Sequence, residues 1–529
     1  MNEANGLAHD RYEYLIQHRE HVLRVGREVA SLTVPHLLPP QGHTATSDLP
    51  KPYQSLGSRG IRNLSSKLLL TLFPPNTPFF KYSIDDLAVI EIEEEGGPEA
   101  RGQIEEGLSI RERAVMKEVE ASFFRTAAFE AFRQLLVAGN VCIFIPEAGH
   151  TQVFRLDTFV VKRDPEGTVL EGIIKQNFAI MSLEERAQKL VTAENNSQQG
   201  EDNIALYTYI RRTKKGKYEV WQEVSGKIIP GTKSTYAEDL LPYRFLRLTK
   251  IDGEDYGRGY GEELLGDLVS FEGLSQSLLE GASIMSRMIT MVSPNGTTNA
   301  KDVQNAENGD VISGNPEDVA MLQAEKRADM SVAQNQAEEL NNRLQFAFLL
   351  NTAIQRNGER VTAEEIRYMA QELEDGLGGM YSLLAQEFQL PMVHIFSARM
   401  ERNRQVPELP KDLASPAIVT GIDALGRGHD LRNLDMFLAG LGQQFGPEVL
   451  GRYIMLSEAI KRRGVALGVD MNGLVKSEEE VAQAEQQAQM QQLAQNMGPQ
   501  AIQAMAQLQG KDMDNESKET IAAAQQRVH

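Results

Sequence analysis

Cysteine is almost missing: the sequence contains one, Cys142. A lone cysteine excludes an internal disulfide and any zinc site built on thiolates. It lies in the apolar run 135–145, where a small, buried, inert thiol is expected, in keeping with a reducing compartment. Positive charge is also scarce, with 54 Lys and Arg against 74 Asp and Glu, a net charge of −20. That balance excludes a broad basic surface that grips nucleic acid, but not a protein that lets DNA pass. No apolar run approaches the roughly 20 residues of a membrane span. Residues 1–10 have neither the basic start nor the apolar centre of a signal peptide, so no membrane partner is expected.

What is present is a long, mixed chain. Its 529 residues allow three or four domains, and 41% hydrophobic residues are enough to give them cores. Apolar spacing predicts helices over 10–34 (Tyr14, His21, Val25, Val29) and 58–72 (Ile61, Leu64, Leu68, Leu72), each stopped by prolines. A third is predicted over 105–136. From 140 to 249 the period changes to two, which predicts an antiparallel meander interrupted by a helix near 182–193.

Long helices then return. One is predicted over 261–291 and another over 331–351, the latter with a heptad-like stripe of Ala333, Ala337, Leu340, Leu344 and Ala347. Between them, 293–321 is rich in Asn, Gly, Asp and Pro. Thr362 with Glu365 forms a capping box that opens a third long helix. Gly376, Gly378 and Gly379 predict a kink within it, and Pro391 its end or a second bend. A short strand at 417–420 precedes further helices, and 477–496 reads as a Gln/Ala-rich helix, with the last 20 residues left open.

Enzyme motifs fail on spacing. In Gly226–Ser234, Thr232 separates the second glycine of a P-loop-like run from its lysine, so a β-hairpin turn is expected. Gly257–Glu262 lacks the third glycine of a dinucleotide fingerprint. Asp252, Glu254, Gly257 and Glu263 match an EF-hand loop in part, but Tyr256 stands where a ligand oxygen is required. No catalytic residue, metal site or cofactor is expected.

Several blocks resemble the portal, or head-to-tail connector, protein of short-tailed bacteriophages of the autographivirus kind. They are Gln54–Leu68 with Leu72-Phe-Pro74, Leu136–Val141, Tyr256–Tyr260 with Leu265–Leu268, Leu350–Tyr368 through Leu377-Gly-Gly379 to Pro391, and Thr420–Gly428. The resemblance implies an α+β, predominantly α-helical portal fold assembled as a ring, typically a dodecamer, at one vertex of the virion capsid. It implies no enzyme activity. The implied partners are further copies of the chain, the major capsid, scaffolding and internal core proteins, the terminase large subunit, a tail adaptor, and double-stranded DNA in the channel, with assembly in the host cytoplasm.

Mapped onto the residues, the implied parts are a wing over 1–260, a first stem helix over 261–291, a clip over 292–326 and a second stem helix over 327–352. A tunnel loop over 353–362, a kinked helix and wing return over 363–430, and a crown with a C-terminal tail over 431–529 complete the map. A channel must not hold the polyanion it passes, and acidic walls repel phosphates over roughly a Debye length. The candidates for such a wall are Glu262, Glu263, Asp267, Glu272 and Glu280. Arg356, Asn357, Glu359 and Arg360 are the tunnel-loop candidates, the arginines giving weak DNA contacts. The competing readings are a packaging-motor NTPase, which requires a Walker A motif, and a non-viral helical scaffold, which leaves the ordered blocks unexplained.

Overall fold

A computed structural model describes residues 7–44, 46–75, 78–84, 104, 107–194, 203–285, 289–322, 327–350, 373, 383–406, 414–418, 436–444 and 460. The chain divides into two units, Met1–Leu425 and Gly426–His529. In the second, residues 436–444 are helical.

The first unit is α+β and mainly helical. It opens with α1 (Ala8–Leu32) and α2 (Leu56–Leu72), close to the predicted bounds. After β1 (Phe80–Ile84) comes a helix over 107–121, α3, then α4 (Phe124–Ala138). The single helix expected over 105–136 is therefore broken. At the break Phe123 takes a left-handed φ of 54°, and its exposed ring meets His150 edge-on at 4.7 Å. Phe124 is fully buried, so the turn sends the two adjacent rings to opposite environments.

The predicted meander is present. A six-stranded antiparallel sheet is built from β4 (Phe159–Arg163), β5 (Val169–Ala179), β6 (Asn203–Arg212), β7 (Tyr218–Val224), β8 (Lys227–Ile228) and β9 (Ser234–Tyr236). The P-loop-like run begins at Gly226 in the β7–β8 hairpin turn, in line with the turn expected there, and continues through β8 to the first residue of β9. A smaller sheet pairs β2 (Asn140–Phe144) with β3 (Gln152–Phe154) and with β10 (Tyr243–Arg247). Cys142 is fully buried on β2, and burial raises its thiol pKa well above the ordinary value. The helix α5 (Glu185–Glu194) interrupts the meander between β5 and β6.

The amino-terminal helix straps the large sheet. Tyr12 and Leu15 pack on Val160, Ile173, Tyr207 and Tyr209, while Arg11 donates to the largely buried Glu171 at 2.8–3.0 Å. The Ala8 amide donates to the buried Glu223 at 2.8 Å, so a carboxylate sits at the positive end of the helix.

The main core gathers Phe73, Phe79, Phe80, Phe124, Phe132, Phe388 and Phe396, several of them ring to ring at 5.0–6.2 Å. The last two rings belong to a helical stretch that does not end at Pro391. A π-turn over Ala385–Gln389 runs directly into α9 (Leu390–Arg402). The widened turn precedes the proline in the second position of α9, where a missing amide costs little. A last strand, β11 (Ala414–Ile418), pairs antiparallel with β1, close to the short strand expected at 417–420.

Candidate channel-forming site

Four elements follow β10: α6 (Tyr260–Glu263), α7 (Leu265–Met285), a small hairpin region and α8 (Arg327–Ala347). The helix expected over 261–291 stops at Met285, and 289–292 form a strand that pairs with Val319–Leu322. Ile289–Val292 is a β-branched, apolar run whose backbone finds a partner across the loop, and pairing satisfies it better than a fraying helix end. The second helix starts four residues before its predicted start and ends four before its predicted end.

The loop above this two-stranded base is organised by Asp318. Its carboxylate accepts from the Thr297 amide at 2.7 Å and the Thr298 amide at 3.2 Å, and from both hydroxyls. A Cβ on Gly296 would lie 2.3 Å from that carboxylate, so the approach requires glycine. Slight burial pushes the Asp318 pKa up, but the hydrogen bonds from Thr298 and Thr297 push harder, and the net shift is downward.

The two long helices, each about 31 Å at 1.5 Å per residue, pack on each other. Leu268, Ala337 and Leu344 are buried between them and the body, and Arg343 crosses to Asp267 at 2.9 Å. The root of the pair is fixed by glycines. Gly139 has φ +70°, and a Cβ there would meet the Arg258 carbonyl carbon at 2.3 Å. Asn140 then donates to the Gly257 carbonyl and accepts from the Gly257 amide, both at 2.8 Å. The Tyr256 hydroxyl accepts from the Val161 amide at 3.0 Å, and burial pushes its pKa up to about 12. The blocks Leu136–Val141 and Tyr256–Tyr260 thus interlock.

The far end of α8 is held by α2. Residue Leu349 takes a left-handed φ of 52°, and the Leu350 amide donates back to the Gln345 carbonyl at 2.8 Å, a Schellman-type ending. Asn63 donates to the Phe348 and Leu349 carbonyls at 3.0 and 2.9 Å, and Lys67 to Leu349 at 3.1 Å. A cation and an amide therefore complement the negative helix end. Gly60 lets the Phe348 ring approach, since a Cβ would lie 2.3 Å from it.

The five acidic candidates do not share one face. At about 100° per residue, Glu272 stands about 140° and Glu280 about 220° round the helix from Asp267. Asp267 is paired with Arg343, and Glu262 with Arg258 at 3.4 Å. Glu272 accepts from the Tyr53 and Gln54 amides at 2.7 and 3.3 Å, and Glu280 accepts from Gln276 at 2.8 Å. Glu263 is exposed, with no hydrogen bond or ion pair among the described residues. Tunnel-loop residues Arg356, Asn357, Glu359 and Arg360, and the kink glycines Gly376, Gly378 and Gly379, lie outside the described residues. Missed by sequence reasoning were Asn63, Lys67, Asn140 and Asp318; each acts through a partner distant in sequence or through backbone groups, which residue type alone does not reveal.

Large apolar side chains remain on the outside of the pair. Val269 is 47% exposed, Leu279 56%, Ile284 62% and Phe346 75%. Among the described residues, no helix is long and apolar enough to cross a membrane, and no cluster of His, Cys, Asp or Glu is arranged to hold a metal ion.

A mainly helical α+β body bearing a rooted, outwardly apolar helix pair defines a structural connector subunit. A family model described as bacteriophage head to tail connecting protein matches residues 5–475, and the chain belongs to that family. The portal protein of Escherichia phage T7 is 38% identical over 517 residues, covering 94% of this chain and 96% of its own length. That of Enterobacteria phage T3 is 36% identical over 478 residues, covering 89% and 88%. That of Enterobacteria phage SP6 is 30% identical over 488 residues, covering 91% and 92%. The chain functions as a portal connector of a short-tailed phage and is a component of the virion.

Proposed function

We propose that the chain assembles in the host cytoplasm into a ring, typically of twelve copies, at one capsid vertex. Genomic DNA enters and leaves through the axis of that ring, and the protein has no catalytic activity of its own. The helix pair α7/α8 is the stem, the Asp318-organised loop region the clip, the sheets and amino-terminal helices the wing, residues 353–362 the tunnel loop, and 431–529 the crown and tail. The clip end docks the terminase large subunit during packaging and a tail adaptor afterwards. The capsid, scaffolding and internal core proteins contact the rest.

The observation that carries this reading is the apolar outer surface of the stem. Leu279, Ile284 and Phe346 are left exposed among the described residues, and burying each stabilises by about 1.5–3 kcal/mol. A neighbouring stem in a ring covers them. Of the acidic candidates, Glu263 and Glu280 are the most exposed and are assigned to the channel wall, where negative charge keeps DNA sliding. Electron microscopy of filled heads tests the assignment. A ring of this chain at one vertex with DNA density on its axis supports it; its absence from the vertices overturns it.

A further inference from the structure

The β6–β7 hairpin concentrates cations in a chain whose net charge is −20. Arg211-Arg-Thr-Lys-Lys-Gly-Lys217 carries five basic residues and no acidic one. Arg212 is committed to Glu238 at 3.2 Å, while Arg211 stands across the ladder from Glu219 in register. Lys214, Lys215 and Lys217 at the turn are exposed, and none has a hydrogen bond or ion pair from its side chain among the described residues.

The turn that presents them is well defined. The Thr213 amide donates to the Lys217 carbonyl at 2.7 Å, the Thr213 hydroxyl to the same carbonyl at 2.8 Å, and the Gly216 amide to the Thr213 carbonyl at 3.0 Å. Gly216 has φ +75°. The three ammonium groups therefore fan out from a fixed tip. The β4–β5 turn lies at the same end of the sheet, roughly two strand spacings or about 10 Å away. Its Asp164 carboxylate is turned onto the Thr168 amide at 2.7 Å, and beside Glu166 stands Lys250, donating to the Glu166 carbonyl at 2.7 Å. The edge stays positive.

We propose that Lys214, Lys215 and Lys217 form a contact site for the phosphate backbone of duplex DNA, on the six-stranded sheet and not on the stem. Residues Thr213–Lys217 include no apolar side chain, whereas a protein-docking surface has an apolar centre. Phosphate recognition requires only cations, and lysines serve it as sequence-independent point charges. The site is independent of the channel, because it needs neither the ring nor the stem.

The test is equilibrium binding of the purified full chain to a short duplex of arbitrary sequence, between about 50 and 200 mM salt. Replacing Lys214→Ala, Lys215→Ala and Lys217→Ala together should weaken binding about 10–100-fold at the low-salt end and reduce the slope of log affinity against log salt by about 2.7. The triple Lys→Arg variant should retain both values, and unchanged circular dichroism excludes misfolding. Replacing Lys51, Lys117 and Lys301 by Ala makes the same charge change elsewhere and should have little effect. The proposal is overturned if the turn variant binds with unchanged affinity and slope, if the scattered variant loses as much, or if the turn variant loses an acidic protein partner while DNA binding is intact. Failure here leaves the portal function standing, since that is read from capsids.

Discussion

Asn140 and Gly257 lie 117 positions apart and exchange two hydrogen bonds of 2.8 Å, amide to carbonyl in both directions. Asn140 is buried, directly after the left-handed Gly139, and Gly257 begins the turn that leads into α6 and α7. The pair therefore fixes where the helix pair α7/α8 leaves the body. Its orientation depends on one carboxamide and on glycines that let two backbones touch.

Replacing Asn140→Ala leaves the Gly257 amide and carbonyl buried without their partner. Each orphaned group costs about 1–3 kcal/mol, so urea denaturation should show a loss of about 2–6 kcal/mol in the first unit. Gly139→Ala should cost more, because the added Cβ meets the Arg258 backbone at 2.3 Å in a backbone conformation that alanine disfavours.

The end of α8 is the next point of sensitivity. Asn63→Ala removes both side-chain bonds to the carbonyls of Phe348 and Leu349, in a turn where leucine holds a left-handed φ. A loss of about 1 kcal/mol is expected. Hydrogen exchange should quicken at the Phe348–Leu350 amides and not in α4.

Phe346→Asp and Leu279→Asp separate assembly from folding. Both side chains are exposed in the single chain, so the midpoint of unfolding of the monomer should move by no more than about 0.5 kcal/mol. Size-exclusion chromatography should nonetheless show loss of the large species. Arg343→Ala, which breaks an exposed pair with Asp267, should change stability by less than about 1 kcal/mol.

The Asp318 turn carries a pH dependence of definite sign. Its folded pKa is lowered, so its contribution to stability is present above the unfolded value of about 3.8 and is lost as pH falls through the folded value. Protection of the Thr297 and Thr298 amides, corrected for intrinsic exchange, should therefore collapse below about pH 4. Asp318→Asn should lower protection at neutral pH and abolish the transition.

Much of the frame is legible in the residues because it is local. The helices at 8–32 and 56–72, the period-two meander and the long helices α7 and α8 follow from apolar spacing within one element. The missed features are those that another part of the chain decides. Ile289–Val292 continues a helical apolar pattern and becomes a strand only because Val319–Leu322 lies beside it. Phe123 and Phe124 look alike in sequence, yet one stays outside and the other enters the core. The carboxylates of α6 and α7 look equivalent until Arg343, Arg258 and the Tyr53 amide engage three of them. The basic residues at 211–217 stand in the sequence, but that Lys214, Lys215 and Lys217 share one tight turn emerges only from the β6–β7 pairing.

The most direct measurement is the mass of the purified chain in solution by light scattering, with Phe346→Asp beside it. Twelve copies of a 58.9 kDa subunit give about 707 kDa, and a species near that mass, or near that of a neighbouring copy number, is expected for the wild type and should be absent in the variant. A stable monomer of 58.9 kDa at every concentration would contradict the ring.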